Sequence, residues 1–291
     1  MKKLFGTGVA LVTPFQQDGT IDFKALLKLL RHTAKGVDYY VVMGTTGESV
    51  TTSAEEKTAV LDFVRSHNPK NLPIVYGLGG NNTQQVLKTI RETDFSGVTA
   101  ILSVSPYYNK PSQEGLYQHF KAIADASPVP VILYNVPGRT SSNISAETTL
   151  RLAQHKNIIG IKEASGNLEQ CMKIAQLKPR DFMLISGDDL LTVSLYAMGG
   201  HGVISVLANA LPRVFKKVKD QVVAGNYLKA SETLFTLLAI NGPMYEEANP
   251  VGIKQLLREI GICENSVRQP LLPASEALQA KIKKAYQELK K

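Results

Sequence analysis

The sequence has little of what several structural and functional classes require. Its two cysteines, Cys171 and Cys263, are too few for a disulfide framework, and their spacing is not that of metal ligands. No apolar run approaches the roughly 18 residues that a membrane helix needs. The first residues include glycines and a proline but no small-residue cleavage site, which predicts a strand rather than a signal peptide. These absences predict a cytoplasmic protein that does not span a membrane.

Metal, nucleotide and nucleic-acid signatures are also sparse. The five histidines are scattered without metal-ligand spacing, which disfavours a zinc-dependent aldolase. The glycines of Gly77–Gly80 match neither a dinucleotide-binding nor a phosphate-binding loop. Much of the +8 net charge lies in the KKVK stretch from Lys216 and in the tail from Lys281, both predicted as solvated helix faces. Because aromatic residues do not alternate with these basic residues, we expect no nucleic-acid partner.

What is present is a regular alternation of short apolar runs and longer amphipathic stretches. The apolar runs, rich in Val and Ile, predict strands at Gly8–Thr13, Tyr39–Met43, Ile74–Gly77, Ala100–Val104, Val131–Tyr134, Ile158–Lys162, Met183–Ser186 and Gly202–Val206. The amphipathic stretches predict helices at Phe23–Thr33, Ala54–Ser66, Thr83–Glu92, Gln113–Asp125, Ala146–Ala153, Leu168–Leu177, Leu190–Ala197 and Ala210–Val223. Eight such units favour a closed (β/α)8 TIM barrel over a doubly wound open sheet.

The pattern changes after Gly225, where no further strand is indicated. Helices are predicted at Tyr227–Ile240, Val251–Ile260 and Ala274–Lys290, separated by breaks that contain proline. We therefore predict a catalytic barrel at 1–224 and a C-terminal helical appendage at 225–291.

Polar residues follow the predicted strands, where barrel enzymes carry their active sites. Lys162 ends one strand, and its burial in the barrel mouth would favour the neutral amine that attacks a carbonyl group. The structural alternative is a lysine that reaches to water or pairs with Glu163. Tyr134 ends the preceding strand and can transfer protons to a reaction at Lys162, although a buried tyrosine bonded to a backbone carbonyl is also possible. The pair predicts Schiff-base chemistry with a small 2-oxo acid.

Two loops offer anion-binding groups. In the segment Gly44–Ser49 (GTTGES), glycine and threonine can bind a carboxylate through turn amides and hydroxyls, or the segment is a simple turn before the next helix. Ser53 and Glu56 predict a capping box at the start of that helix. Arg139 lies after the strand of Tyr134 and can bind a carboxylate with two hydrogen bonds, or is a surface arginine.

Several ordered motifs together resemble the dihydrodipicolinate synthase family, within the wider group of pyruvate-dependent lyases and aldolases. They cover most of the barrel and part of the tail, and they comprise Gly44–Ser49, Pro106–Phe120, Tyr134–Thr140, Gly160–Asn167, Ser186–Asp189, Gly199–Val206 and Glu247–Lys254. The resemblance implies condensation of pyruvate with L-aspartate 4-semialdehyde on the route to diaminopimelate and lysine, through an imine that needs neither cofactor nor metal.

The resemblance also implies roles for individual residues. Lys162 forms the iminium with pyruvate, and Tyr134 is the central proton relay. Thr45 and Thr46 hold the pyruvate carboxylate and continue the relay, which Tyr108 completes from a neighbouring subunit. Arg139 binds the carboxylate of the semialdehyde. The pyruvate pocket is lined by two further residues, Gly187 and Ile204. A homotetramer built as a dimer of dimers is therefore expected.

One departure from the family concerns inhibition by lysine. Some members bind lysine with histidines and an acidic residue, where this sequence has Ala54, Lys57 and Gln85. Ser49, Asn81 and Tyr107 fit the family pattern. A cationic Lys57 and a neutral Gln85 disfavour an ammonium ligand, so weak or absent inhibition is predicted.

Two other functions fit part of the sequence pattern. A sugar-acid aldolase would share the imine chemistry, but similar sialic-acid lyases usually lack an arginine at the position of Arg139. A non-catalytic barrel that only binds a metabolite would not need Lys162, Tyr134 and the threonines, all of which are present.

Overall fold

The fold is a closed barrel of parallel strands. The computed structural model describes residues 4–290, and the eight strands follow one another around the barrel in chain order. Their bounds are Gly6–Ala10 (β1), Tyr39–Val42 (β2), Ile74–Gly77 (β3), Ala100–Val104 (β4), Val131–Asn135 (β5), Ile158–Glu163 (β6), Met183–Ser186 (β7) and Gly202–Ser205 (β8). Nearly all strand residues are buried, as expected for strands covered on both faces. The predicted TIM barrel is confirmed.

Helices separate the strands and follow the last one. They are Phe23–Thr33 (α1), Ala54–Ser66 (α2), Thr83–Glu92 (α3), Gln113–Ala126 (α4), Pro137–Thr140 (α5), Ala146–Leu152 (α6), Leu168–Leu177 (α7), Thr192–Ala197 (α8) and Pro212–Val223 (α9). Six of these begin after a short polar residue whose side chain accepts a hydrogen bond from an amide in the first turn: Asp22, Ser53, Asn82, Ser112, Ser145 and Asn167. At Ser53 the predicted capping box with Glu56 is complete.

The C-terminal appendage is helical, as predicted. Its helices are Tyr227–Phe235 (α10), Leu238–Asn241 (α11), Val251–Glu259 (α12) and Glu276–Leu289 (α13). Each buries part of its apolar face. Within residues 4–290, no helix combines the length and the apolar character that crossing a membrane would take.

The described residues form two compact units. One comprises 4–5 and Pro73–Ile204, and therefore contains β3 to β7 and most of β8. The other comprises Gly6–Leu72 and 205–290, and therefore contains β1, β2 and the C-terminal helices. In the second unit, residues from the two ends of the chain pack together.

Several predicted elements differ from the structure by two residues or more. Helices α8, α9 and α13 each begin two residues later than predicted, and the short helix α5 is absent from the prediction. The first strand is two to three residues earlier than the predicted Gly8–Thr13, because the amide of Val12 donates to the side chain of Asn209 at 3.2 Å rather than to a strand. The predicted helix Tyr227–Ile240 is two helices, α10 and α11. Between them the amide of Leu237 donates to the carbonyl of Leu234, three residues back, which is a tighter turn than an α-helix makes.

Candidate active site

Lys162 and Tyr134 lie side by side on neighbouring strands. Strand β5 pairs with β6 in a register that places Tyr134 opposite Lys162. The lysine Nζ lies 4.2 Å from the centre of the tyrosine ring. Both side chains are buried, with 6% of Lys162 and 7% of Tyr134 exposed. The first unit therefore joins an amine and a phenol in a largely water-free place, as the sequence predicts.

The next residue on each of these strands forms a second polar pair. Asn135 lies opposite Glu163, and its amide nitrogen is 3.0 Å from each carboxylate oxygen. The carboxylate also accepts from the amide of Ser165 at 2.8 Å and from Gln170 Nε2 at 2.8 Å. Because successive strand residues point to opposite faces, Glu163 faces away from Lys162. The alternative in which Lys162 pairs with Glu163 is therefore wrong.

The carboxylate of Glu163 also affects a nearby thiol. Burial, and secondarily the negative charge of Glu163, raise the pKa of Cys171 to about 12. At neutral pH this thiol stays protonated, so it is a buried structural residue rather than a nucleophile.

Arg139 lies in a loop that is fixed to the loop after β4. The short helix α5 carries Arg139 on its exposed side. Directly after it, the hydroxyls of Ser142 and Ser105 are 2.7 Å apart, and Ser142 donates to the carbonyl of Pro106 at 3.0 Å. Thr140 donates to the Ser142 carbonyl at 2.8 Å. Buried hydroxyls therefore hold Arg139 on a firmly anchored loop, with its guanidinium open to an incoming anion.

Tyr108 has an unusual backbone and is almost fully exposed. Its φ is +74°, and the amide of Asn109 donates to the carbonyl of Tyr107 at 2.9 Å, which is a γ-turn of the rare, strained kind. Two further hydrogen bonds, from Asn81 to the Tyr107 carbonyl and from Asn109 to the Asn81 carbonyl, hold this turn in place. Tyr108 is 88% exposed. A fixed turn that projects an aromatic side chain into solvent is consistent with a residue that acts outside its own chain.

Gly187 directly follows β7, and Ile204 is the next-to-last residue of β8. The amide of Gly187 donates to the carbonyl of Glu163 at 2.7 Å. A Cβ atom at Gly187 would lie 2.4 Å from the Cβ of Ala164, so only glycine permits this approach of the chain segments. Ile204 is fully buried. Both residues are placed in the unit that also contains Lys162 and Tyr134.

The threonines of the GTTGES segment belong to the other unit. Thr45–Gly47 forms a single 3₁₀ turn directly after β2. Thr13 donates to the carbonyl of Gly47 at 2.7 Å, and the following residue, Glu48, has a left-handed backbone with a φ of +56°. Thr46 is buried, whereas Thr45 is partly exposed. The segment is therefore a fixed turn, held to Thr13 by a buried hydrogen bond.

Three contributors to these sites, Asn135, Glu163 and Asn249, were not assigned a role from the sequence. Asn135 and Glu163 each follow a predicted site residue, so their common register was a usable signal. Asn249 donates to Thr46 Oγ1 at 3.0 Å across 203 residues of chain, and nothing local in the sequence indicates that contact. Within residues 4–290, no group of three or more His, Cys, Asp or Glu side chains is arranged to hold a metal ion.

Comparisons with known proteins place the chain among its relatives. The family model of the dihydrodipicolinate synthetase family matches residues 3–289. A 4-hydroxy-tetrahydrodipicolinate synthase of Cytophaga hutchinsonii is 50% identical over 287 residues, which cover 98% of this chain and 97% of that protein.

Solved structures are similarly close. The dihydrodipicolinate synthase of Thermotoga maritima superimposes with a TM-score of 0.96 at 36% identity and covers 99% of both chains. A chloride-inhibited dihydrodipicolinate synthase of Acinetobacter baumannii, described as complexed with pyruvate, gives a TM-score of 0.95 at 37% identity, again over 99% of both chains. With the family matched along almost its whole length, the chain belongs to the dihydrodipicolinate synthetase family.

Proposed function

We propose that this enzyme condenses pyruvate with L-aspartate 4-semialdehyde to give 4-hydroxy-tetrahydrodipicolinate, in the biosynthesis of diaminopimelate and lysine, in the cytoplasm. The observation that carries the proposal is the buried pair of Lys162 and Tyr134, whose amine and ring are 4.2 Å apart. The relatives that bear the name of this synthase support the choice of substrates.

The chemistry begins with the neutral amine of Lys162. It attacks the pyruvate carbonyl, and the resulting carbinolamine loses water to become an iminium ion. The iminium withdraws electrons, so loss of a proton from the methyl group gives an enamine. Tyr134 is placed to pass protons to and from these intermediates, since its ring lies beside the lysine amine.

The enamine carbon then attacks the aldehyde carbon of the second substrate. The aldehyde oxygen takes up a proton and remains as the hydroxyl group of the product. The amine of the semialdehyde next adds to the iminium carbon and displaces Lys162, which closes the ring and restores the free lysine. One molecule of water is released per turnover, and no external oxidant or reductant is needed.

The other site residues bind the substrates. We assign the pyruvate carboxylate to Thr45 and Thr46, with Thr46 also in the proton relay, and the walls of the pyruvate pocket to Gly187 and Ile204. Arg139 binds the carboxylate of the semialdehyde, which its exposed position supports.

Tyr108 is assigned to the site of a neighbouring subunit, within a homotetramer built as a dimer of dimers. Its exposure of 88% in the single chain supports a function at a subunit contact. Sedimentation velocity should give a tetramer. A monomer with full activity would remove the role of Tyr108 in a partner's site.

Regulation by lysine is predicted to be weak or absent. Lys57 places a positive charge where an ammonium ligand would need a neutral or acidic group, and Gln85 supplies no carboxylate. Initial rates measured with added lysine should stay unchanged. An inhibition constant in the low micromolar to sub-millimolar range would contradict this.

Borohydride trapping with pyruvate tests the proposed imine directly. Reduction should attach a pyruvate-derived group to the peptide that contains Lys162, as read by intact mass and peptide mapping, and Lys162→Ala should abolish the adduct. Lys178→Arg is the matched control, because Lys178 is a partly buried lysine that lies outside the site. An adduct with turnover of a 2-keto-3-deoxy sugar acid but none of the semialdehyde would indicate a sugar-acid aldolase. No adduct in folded protein would contradict the mechanism.

A further inference from the structure

The hydroxyl of Thr46 is held by a residue from the distant C-terminal segment. Asn249 Nδ2 donates to Thr46 Oγ1 at 3.0 Å, and both side chains are buried, with 3% of Thr46 and 7% of Asn249 exposed. Because the threonine oxygen accepts this bond, its own hydrogen stays available for a different acceptor. A substrate carboxylate is an acceptor of this kind, and hydrogen bonds to charged groups are stronger than neutral ones.

The remaining polar atom of Asn249 also needs an explanation. Its Oδ1 is buried and has no hydrogen-bond partner among the described residues. A buried acceptor that makes no hydrogen bond loses its interaction with water without a replacement. A side chain kept in this arrangement despite that loss is expected to serve the group to which it donates.

A second contact fixes Asn249 relative to the same turn. Asn249 lies just before helix α12, and Lys254 in the second turn of α12 forms a buried ion pair with Glu48, two residues after Thr46. Glu48 also accepts from the amide of Arg268 at 3.0 Å. Lys254 in addition donates to the carbonyl of Ser266 at 2.8 Å. The start of α12 is therefore attached to the Thr45–Gly47 turn at two points, which leaves the amide of Asn249 little freedom to move away from Thr46.

We propose that Asn249 is a positioning residue that orients the Thr46 hydroxyl as a hydrogen-bond donor to the carboxylate of pyruvate. The C-terminal helical segment thereby takes part in the first half of the reaction, in which pyruvate is bound and the imine forms. This inference rests on the proposed function, since it takes pyruvate as the ligand of Thr46.

Two substitutions of Asn249 test the direction of the hydrogen bond. Asn249→Ala removes the donor, and kcat/KM for pyruvate should fall about tenfold, as expected for one hydrogen bond to a charged ligand. Asn249→Asp keeps the shape but supplies an acceptor, which takes the threonine hydrogen and repels the substrate carboxylate, so a fall of about a hundredfold is expected. In both variants kcat/KM for the semialdehyde should stay within about twofold of the parent value, because that ratio reports the second half of the reaction.

Controls separate positioning from general stability. Asn265→Ala removes a similar hydrogen bond in the same segment, to Gln255 at 2.8 Å. It should leave kcat/KM for pyruvate and for the semialdehyde unchanged. In a Thr46→Val background, Asn249→Ala should have almost no further effect on kcat/KM for pyruvate, because the two side chains act as one unit. Should Asn249→Ala fail to fold, the isosteric Asn249→Asp carries the test.

Four outcomes would overturn the inference. The first two are an Asn249→Asp variant as active as the parent, and an equal loss of kcat/KM for pyruvate and for the semialdehyde. The other two are a similar loss in Asn265→Ala, and a full tenfold effect of Asn249→Ala in the Thr46→Val background. Borohydride trapping on the parent enzyme distinguishes these from failure of the proposed function. If the parent forms the pyruvate adduct but the Asn249 variants behave normally, only the inference about Asn249 is wrong.

Discussion

Lys162 and Glu163 are adjacent in the chain but contribute to different environments, since neighbouring strand residues point to opposite faces of β6. The amine of Lys162 lies beside the ring of Tyr134. The carboxylate of Glu163 accepts hydrogen bonds from Asn135, Ser165 and Gln170. Because Asn135 is on β5, this bond fixes the register that sets Tyr134 opposite Lys162. At the scale of single residues, the carboxylate supports the reactive pair without touching it.

Glu163→Gln should destabilise the protein and slow the reaction. The new amide nitrogen would face donors that now point at a carboxylate, and buried donors without an acceptor cost about 1–3 kcal/mol. Urea unfolding should show a loss of about 2 kcal/mol, and kcat should fall together with imine formation. Glu169→Gln, at an exposed position on α7 paired with Lys173, is the control and should change neither quantity. Unchanged stability in Glu163→Gln would show that the network does not hold the register.

The stability of the protein should decrease in acid through His119. Its Nδ1 is hydrogen-bonded to Thr83 at 2.8 Å, and burial lowers the pKa of the imidazole from 6.5 to about 4. Between those two pH values the unfolded chain binds a proton that the folded chain does not, so the free energy of unfolding falls as pH falls from 6.5 to 4. Below that range both states are protonated, and this contribution falls no further.

His119→Asn tests this prediction through the change of the free energy of unfolding with pH, rather than through its absolute value. Chemical unfolding measured from neutral pH down to the folded pKa should show that the variant loses about 3 kcal/mol less than the parent. His67→Asn, at an exposed position, should retain the parent slope. If the free energy of unfolding changes equally with pH in the parent and in His119→Asn, His119 is excluded as the cause of the loss of stability in acid.

At the scale of elements, helix starts are decided locally and loop shapes are not. Short polar residues such as Ser53 and Ser145 accept from the first-turn amides, and the predicted starts of these two helices agree with the structure. The turn around Tyr108 depends on hydrogen bonds to Asn81, 26 to 28 residues away. The break between α10 and α11 depends on a backbone turn that the helical pattern of Tyr227–Ile240 does not show.

The capping box of α2 should contribute measurably to stability. Ser53→Ala removes the acceptor of the Glu56 amide, and the loss of an N-cap costs about 1 kcal/mol. Thermal unfolding should show a lower midpoint for this variant. Thr58→Ala changes an exposed hydroxyl in the same helix, bonded to the Ala54 carbonyl, and should have a much smaller effect. A loss as large in Thr58→Ala would mean that the helix, and not its cap, is sensitive.

At the scale of the whole molecule, long-range polar contacts join the C-terminal segment to the first third of the chain. Lys254 pairs with buried Glu48, and Arg268 binds Glu56 and the carbonyl of Gly19. Arg268 also holds the pKa of Glu56 at about 2, mainly through their hydrogen bonds. A buried charge that loses its partner is strongly destabilising, so these pairs make the second unit dependent on both ends of the chain.

A chain shortened to residues 1–224 is therefore expected not to fold. It would leave Glu48 buried without Lys254, and it would expose the apolar side chains that α10 to α13 cover. Near-ultraviolet circular dichroism should show no fixed tertiary structure, whereas a chain ending at Leu289 should resemble the parent. Cooperative unfolding of the 1–224 fragment would instead support the proposed division into a barrel and a separate C-terminal domain.

The sequence by itself determined the eight-unit barrel, the starts of the six capped barrel helices and the pairing of Tyr134 with Lys162. These features depend on signals carried within a few residues: buried Val and Ile runs, capping side chains, and the polar residue at which each strand ends. Only the tertiary structure decided that Tyr108 lies in a strained exposed turn and that Asn249 holds Thr46. The last contact joins residues 203 positions apart, and no local pattern can encode it, because the partners meet only after the chain has folded.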